Sequence, residues 1–235
     1  MTEPIGNTPA GDTGTPPTAT ERAVIGAEER VRAVTGLAPS RLFDHDRIRQ
    51  GVRMLFEGLG IDPTERRVAG TPERVSRMFD EIFAGLLVDP VEVLDVVFEE
   101  DHDEIVLVRD IPFASVCEHH LVPFVGRAHV GYLPNTAGQV TGISKLARLV
   151  DIVAKQPNLQ ERITTTVADT LEKVLSPRGV IVIIEAEHFC MTMRGARKPG
   201  AITVTSAVRG LMRDDPRTRA EVMGHIYGQR GAGWG

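Results

Sequence analysis

The chain has 235 residues, of which 42% are hydrophobic and 25% are charged, so it can fill the core of a globular domain. Its formal net charge of -5 excludes nucleic-acid binding through bulk positive charge, although it leaves room for local basic pockets. No apolar run reaches the ~20 residues of a spanning helix, and the start of the chain lacks signal-peptide features, so we expect a cytoplasmic protein without a membrane partner.

The N-terminal residues have the composition of a disordered tail. Thirteen of the first twenty are Thr, Pro or Gly and none is Lys or Arg, which leaves little apolar surface to bury. Residues 21–35 have the pattern of a short polar helix, and Leu37-Ala38-Pro39-Ser40 is typical of a boundary. We assign residues 1–40 to a low-complexity tail, 41–90 to a helical region, 91–227 to the main domain and 228–235 to a flexible, glycine-rich tail.

Two amphipathic helices are predicted in the helical region. The first begins near Asp46 and ends at Gly58 and Gly60, and its apolar face comprises Ile48, Val52, Leu55, Phe56 and Leu59. Thr71 is expected to cap the second helix, with Pro72 in its first turn. The apolar face of that helix comprises Val75, Met78, Phe79, Ile82, Phe83 and Leu86. We expect these two helices to pack together.

The main domain mixes strands and helices without regular alternation. The predicted strands are Val91–Phe98, Glu104–Val108, Ala128–Leu133, Val180–Ile184 and Ala201–Val208. Helices are predicted from Ser144, from Leu159 and from Asp215-Pro216, the last ending near Tyr227. Because the elements fall in blocks, the pattern indicates an α+β domain with a largely antiparallel sheet.

Three of the seven histidines lie within three residues of the only two cysteines, in Cys117-Glu118-His119-His120 and in His188-Phe189-Cys190. Cys117 and His120 can chelate one ion, and Cys190 can provide a third ligand from a distant strand. Three ligands leave a fourth position for water, as in catalytic zinc sites, and the remaining histidines can then move protons. If Val180–Cys190 is extended, His188 and Cys190 share one face. The alternatives are buried cysteines without metal, or a structural zinc with His119 or His188 as fourth ligand.

A second group of residues could bind an anionic nucleotide. Gly142-Ile143-Ser144-Lys145 opens a helix, so free N–H groups, Ser144 and Lys145 can converge on a phosphate, with Arg148 one turn away. An ordinary capped helix start is the alternative reading. Arg194 adds a guanidinium four residues after Cys190.

Two further groups of residues can also be interpreted without a role in ligand binding. In Gln160-Glu161-Arg162, Glu161 either stabilises the helix dipole or accepts hydrogen bonds from the guanine edge. Arg74 and Arg77 most simply form a solvated helix face.

The motifs together resemble the zinc-dependent GTP cyclohydrolase I enzymes. The resemblance runs from about Asp46 to Ile226 and also includes Thr71-Pro72-Glu73-Arg74 and Arg194-Gly195. It implies the tunnelling fold, with an antiparallel sheet, helices packed on one side and a β-barrel formed by several subunits. It also implies a homodecamer of two pentameric rings with active sites between subunits.

The resemblance implies that GTP is converted to formate and 7,8-dihydroneopterin triphosphate, the entry to folate or tetrahydropterin synthesis. Zn²⁺ would be held by Cys117, His120 and Cys190, with His119 and His188 as the acid–base pair. Glu161 and Gln160 would face the purine. The triphosphate would be held by Ser144, Lys145, Arg148 and Arg194, with Arg74 and Arg77 reaching it from an adjacent subunit.

Two rival functions differ from this expectation in the chemistry they require. A pterin synthase or deazaguanine nitrile reductase of the same fold would need three zinc histidines, or a nucleophilic cysteine without zinc. A non-catalytic nucleotide-binding assembly protein would keep zinc structurally. In that case, His119→Ala and His188→Ala would have no chemical phenotype.

Overall fold

The computed structural model describes residues 18–95 and 97–228. Its helices are α1 Ala19–Thr35, α2 His45–Gly58, α3 Thr71–Ile82, α4 Ile143–Ala154, α5 Gln160–Leu175, α6 Phe189–Thr192, α7 Leu211–Asp214 and α8 Pro216–Tyr227. Its strands are β1 Val97–Glu99, β2 Val106–Cys117, β3 Pro123–Leu133, β4 Gln139–Thr141, β5 Pro157–Asn158, β6 Gly179–His188 and β7 Ile202–Gly210. No described helix has the length and apolar character of a membrane span.

Five strands form the main sheet in the order β5-β2-β3-β6-β7, and β1 and β4 form a separate pair. The pairs β2–β3, β3–β6 and β6–β7 are antiparallel, and only the two-residue strand β5 runs parallel to β2. The mixed α+β architecture with a mainly antiparallel sheet is therefore as predicted.

Helices cover both faces of the main sheet, which corrects the expectation that they pack on one side. Val180, Val182 and Ile184 belong to the larger core, which includes apolar residues of α4 and α5. The alternate residues Ile181 and Ile183 face a smaller core with Met212 of α7 and with Val222 and Ile226 of α8. Because side chains of a strand alternate between faces, the continuous apolar run of β6 supplies both cores.

The N-terminal helices are joined to the main domain by buried contacts. The helix predicted at residues 21–35 is confirmed as α1, and its Val31 lies in the larger core, so these residues do not belong to a disordered tail. In α3, Asp80 is fully buried and forms an ion pair of 2.7 Å with Arg30. Residues 1–17 and 229–235, which include the first part of the predicted N-terminal tail and nearly all of the predicted C-terminal tail, lie outside the described residues.

The packing of α2 against α3 confirms another prediction, and polar contacts hold the pair. His45 Nδ1 lies 2.7 Å from Ser76 Oγ, and Arg49 forms an ion pair of 3.1 Å with Glu73. The cap of α3 differs from the prediction, because Gly70 occupies the N-cap position and makes no side-chain cap hydrogen bond.

The strand predictions between residues 91 and 133 are the least accurate. Pro90–Leu94 forms a short 3-10 helix, because Asp89 caps Val91 N–H and the proline suits a first turn. Strand β2 continues through Pro112 to Cys117 and has a register shift between Val108 and Ile111. The missing N–H of Pro112 is tolerated because β2 has a second neighbouring strand only at Val116 and Cys117. This extension is what places Cys117 at the end of a strand.

Candidate functional site

Cys117 ends β2 and begins a tight turn that returns the chain to β3. The Leu121 N–H donates to the Cys117 carbonyl at 2.8 Å, and the Cys117 N–H donates to the Val122 carbonyl at 2.9 Å. Leu121 has a φ of 53°, a left-handed conformation that closes the turn. The turn brings His120 Nδ1 to 3.9 Å from Cys117 Sγ.

Cys190 lies beside Cys117 and His120 because a helical turn, which the sequence does not predict, follows β6. Strand β6 ends at His188, and residues Phe189–Thr192 form one helical turn, so the condition that Val180–Cys190 is extended throughout is not met. The Met193 N–H donates to the Phe189 carbonyl at 3.0 Å, and Thr192 Oγ1 donates to the His188 carbonyl at 3.0 Å. These local bonds replace the strand pairing that ends opposite Phe124.

The ligand atoms of Cys117, His120 and Cys190 all lie within 4.8 Å of one another. Tetrahedral zinc with Zn–S bonds of ~2.3 Å holds its sulfur ligands about 3.8 Å apart, so a small contraction would bring these atoms into range. Burial raises the pKa of the Cys190 thiol, and the neighbouring Cys117 raises it further, whereas a bound cation would favour both thiolates. The donor set therefore fits zinc. Among the described residues, His119 and His188 are not members of this group.

His188 is held by one ring contact and one hydrogen bond. Its ring is stacked on Phe124, with centroids 4.6 Å apart and planes within 5° of parallel. Its Nε2 lies 2.7 Å from Gln160 Oε1. Burial lowers the pKa of His188, and the negative charge of Glu161 opposes that shift. Glu161 therefore lies close enough to influence the same imidazole.

His119 lies on the exposed side of the turn, with 62% of its side chain accessible. Its Nε2 is 3.9 Å from Glu118 Oε1, and Glu118 forms a two-point ion pair with Arg162 at 2.5 and 3.1 Å. The Arg162 guanidinium holds the pKa of the Glu118 carboxyl below its usual range. This pair connects the turn after β2 to the start of α5.

Gln160 is only 1% exposed, and protein groups occupy its amide. Its nitrogen donates to the carbonyls of Ile184 and Thr203 at 2.9 and 3.0 Å, and its oxygen contacts His188. The geometry differs from the expectation that Gln160 faces a purine, because such a contact would break these bonds. Glu161, the next residue, is exposed.

The predicted phosphate residues at the start of α4 have other contacts in the chain. Gly142 occupies the N-cap, so Ser144 lies inside the first turn rather than at the cap. Lys145 Nζ forms an ion pair of 2.6 Å with Asp95, and this contact lowers the pKa of the Asp95 carboxyl. Arg148 also lies near Asp95 and lowers the same pKa.

The three other predicted arginines lie in two places. The charge of Arg194 lowers the pKa of Cys190, so Arg194 lies near that thiol. Arg74 donates to Thr71 Oγ1 at 3.2 Å, and Arg77 lies 3.7 Å from Glu73, both on α3. Within the described part of the chain, the α3 arginines and the α4 residues thus contact partners other than the cysteine group.

Sequence reasoning did not identify several residues that shape the site. Phe124 contacts His188 through the pairing of β3 with β6, and no local pattern indicates that register. Asp95 pairs with a lysine fifty positions away. Thr164 and Thr205 lie 2.6 Å apart beside Gln160 and resemble ordinary helix and strand threonines in the sequence.

The matching family model and three similar relatives agree on one family. The family model described as GTP cyclohydrolase I matches residues 48–227. The GTP cyclohydrolase 1 of Halalkalibacterium halodurans is 60% identical over 185 residues, 79% of this chain and 98% of that protein. The protein of the same name from Thermobifida fusca is 59% identical over 83% of this chain and 94% of that protein. The one from Bacillus subtilis is 56% identical over 78% of this chain and 96% of that protein.

One solved structure, the apo form of an archaeosine synthase QueF-Like protein, aligns with 46% of this chain and 94% of its own. Its TM-score is 0.38 and its sequence identity 19%, a similarity too low to support an argument.

Proposed function

The chain belongs to the GTP cyclohydrolase I family, and from that premise we propose that it hydrolyses GTP at C8 of guanine. Formate is released, and the remaining atoms rearrange to 7,8-dihydroneopterin triphosphate, the first step of folate or tetrahydropterin synthesis. The observation that carries the proposal is the convergence of Cys117, His120 and Cys190 within 4.8 Å, beside two histidines outside that group.

Zinc dependence is part of the proposal, and the donor set supports it. Two sulfurs and one imidazole are the soft and borderline ligands that zinc prefers, and three protein ligands leave a position open. When bound, zinc supplies Lewis-acid activation of water for attack on C8.

The side chains around the metal ligands divide the remaining tasks. His119 and His188 move protons as the imidazole ring of guanine opens and formate leaves. Glu161, exposed at the first turn of α5, accepts hydrogen bonds from N1–H and the 2-amino group of guanine. Adenine cannot offer this pair of donors, so Glu161 would select the base.

Cationic groups bind the triphosphate. Lys145 and Arg148 lie on α4, and Arg194 lies near the sulfurs. Ser144 adds a hydroxyl, and Arg74 and Arg77 would come from an adjacent subunit. The α3 arginines contact Thr71 and Glu73 on their own helix rather than the cysteine group, which supports a site that is completed between chains.

We propose that the chain adopts the tunnelling fold and assembles as a decamer of two pentamers. Strand β7 forms one edge of the five-stranded sheet and exposes Ile202 and Val204, each 56% accessible. An exposed apolar edge strand is a template for pairing with another chain. Pairing between subunits would extend the sheets into a barrel.

The test is to incubate zinc-loaded protein with GTP and to measure formate and pterin fluorescence. We expect formate and pterin in equal amounts. His119→Ala and His188→Ala should keep zinc and lose turnover, whereas a non-catalytic zinc protein would show no difference between these variants and the native chain. GTP left intact by the folded, zinc-loaded oligomer would contradict the proposal.

A further inference from the structure

The hydrogen bonds around Gln160 determine which way its amide points. Its Nε2 lies 2.9 Å from the Ile184 carbonyl oxygen, 3.0 Å from the Thr203 carbonyl oxygen and 3.1 Å from Thr205 Oγ1. Carbonyl oxygens only accept hydrogen bonds, so the amide nitrogen must face them. In the opposite orientation, Gln160 Oε1 would face two carbonyl oxygens with no hydrogen between them, and buried acceptors left in that way are costly.

The two threonines beside Gln160 agree with this direction. Thr164 Oγ1 lies 2.7 Å from the main-chain carbonyl oxygen of Gln160, so the one hydroxyl hydrogen of Thr164 is donated to that oxygen. Thr164 must therefore accept from Thr205, whose Oγ1 lies 2.6 Å away. With its hydrogen committed to Thr164, Thr205 Oγ1 can only accept from the Gln160 amide nitrogen, whose two hydrogens are then shared among Thr205 Oγ1 and the two main-chain carbonyl oxygens. The direction of each hydrogen bond in this network is thus fixed by main-chain carbonyl oxygens, which can only accept.

The position of the imidazole hydrogen of His188 follows from the same network. Gln160 Oε1 can only accept, and it lies 2.7 Å from His188 Nε2. We propose that Gln160 is a positioning residue that holds neutral His188 as the Nε2–H tautomer and leaves Nδ1 as the nitrogen that accepts a proton during the reaction. The role in turnover rests on the proposed function, whereas the tautomer itself does not.

The surroundings of the ring and of Gln160 leave little freedom for another arrangement. Stacking on Phe124 within 5° of parallel fixes the plane of the imidazole. Gln160 is 1% exposed and is held by β6, β7 and its own helix, so its oxygen stays at one place beside the ring. A histidine fixed in one tautomer presents one defined lone pair, which is what a proton-transfer group requires.

The direct test is magic-angle-spinning NMR of the full-length, zinc-loaded protein labelled with ¹⁵N-histidine. The His188 signals are identified among those of the seven histidines by their loss in His188→Asn. We expect a protonated Nε2 and an unprotonated Nδ1 in the neutral ring. A protonated Nδ1, or a mixture of the two tautomers, would overturn the inference.

A substitution then tests the positioning role. Gln160→Met keeps the length of the side chain but removes the acceptor, so we expect a mixture of His188 tautomers and about 10- to 100-fold lower kcat with little change in KM for GTP. Thr170→Val is the matched control, because it removes a buried hydroxyl bond of 2.8 Å on the same helix without touching the network. An unchanged kcat in folded Gln160→Met, or retention of one tautomer, contradicts the positioning role.

The spectrum of the native protein remains decisive if Gln160→Met does not fold. The outcomes also separate the two proposals. A native protein that shows the Nε2–H tautomer but leaves GTP intact refutes the proposed function only. One that consumes GTP with the opposite tautomer refutes the role of Gln160 only.

Discussion

The two sulfur atoms of the candidate metal centre repel each other when both are ionised. The pKa of Cys190 is raised first by burial and then by Cys117, so the folded chain disfavours two adjacent thiolates. A divalent cation reverses this preference, because it binds the deprotonated forms. We therefore expect the cysteines to be essential for metal retention, and the histidines outside the group of mutually close ligand atoms to be dispensable for it.

Substitution separates ligands from proton-transfer residues. We expect Cys190→Ser to lose most of its zinc on dialysis against a chelator, because one of three protein ligands is replaced by a poor one. His119→Ala should retain about one zinc per chain, since its imidazole lies outside the group of mutually close ligand atoms. Metal analysis by mass spectrometry measures both. Loss of zinc from His119→Ala would show that this histidine is a ligand.

Within the chain, the Lys145 ammonium forms an ion pair with the Asp95 carboxylate. A triphosphate that uses Lys145 must displace the Asp95 carboxylate, which lies 2.6 Å from the ammonium. We expect Asp95→Asn to lower KM for GTP by about two- to fivefold, the range typical of a partly exposed ion pair. Steady-state kinetics at fixed ionic strength measures the change.

The control for this substitution is an acidic residue on α4, the helix that carries Lys145. Asp151→Asn removes the partner of Lys155, a pair of 2.5 Å that is not among the predicted substrate contacts, and should leave KM unchanged. Equal effects of the two substitutions would mean that only the net charge of the chain matters. A higher KM in Asp95→Asn would mean that Asp95 positions Lys145 for the phosphate instead of competing with it.

Elements with strong local signals were predicted well from the sequence. Helix α8 begins at Pro216 because Asp215 accepts hydrogen bonds from the N–H groups of Arg217 and Thr218. The apolar period of α5 and the unbroken run of β6 were also recognised, because each pattern is local.

Predictions failed where neighbours outside the local window decide the structure. Residues Phe189–Thr192 form a helical turn and do not extend the strand as far as Cys190, because the pairing of β6 with β3 ends at His188. The proximity of Cys117, His120 and Cys190 could still be predicted, since these residues lie in short motifs. The Gln160 network could not, because it requires the registers of β6, β7 and α5 together.

The cap of α8 provides a prediction for pH dependence. Hydrogen bonds from Thr218 and Arg217 lower the pKa of the Asp215 carboxyl, so ionised Asp215 stabilises the folded state. This contribution is fully present above the unfolded pKa of ~3.9 and is lost as the pH falls through the lower folded value. We expect Asp215→Ala to lower Tm by a few degrees near neutral pH, with a smaller difference from the native chain below about pH 4.

Thermal denaturation at several pH values measures this difference, and Asp214→Ala is the neighbouring control. Asp214 ends α7 and is not the capping residue, so its substitution should change Tm little. A difference for Asp215→Ala that grows as the pH falls would contradict the sign of the linkage, because it would require a raised folded pKa.

At the scale of the whole molecule, the candidate metal ligands and most of the predicted phosphate-binding residues lie on different elements, with Arg194 near Cys190 as the exception. The cysteine group lies at the ends of β2 and β6, Lys145 and Arg148 lie on α4, and Arg74 lies on a helix of the N-terminal region. The open edge of β7 offers a surface at which a second chain can pair. If neighbouring subunits are joined there, the metal centre of one chain can meet the α3 arginines of the next.

Mixing two defective chains tests that arrangement directly. His188→Ala should inactivate the half of the site that lies on the same chain as the metal ligands. Arg74→Ala should inactivate the half that the neighbouring chain contributes. If each site uses both halves from different chains, random assembly of an equal mixture after unfolding and refolding restores about a quarter of the native activity. If one chain supplies both halves, every site carries one defect and activity does not return. A mixture of His188→Ala with Cys190→Ser, both on the same half, should also stay inactive, so recovery in the first mixture alone would establish that the site is shared.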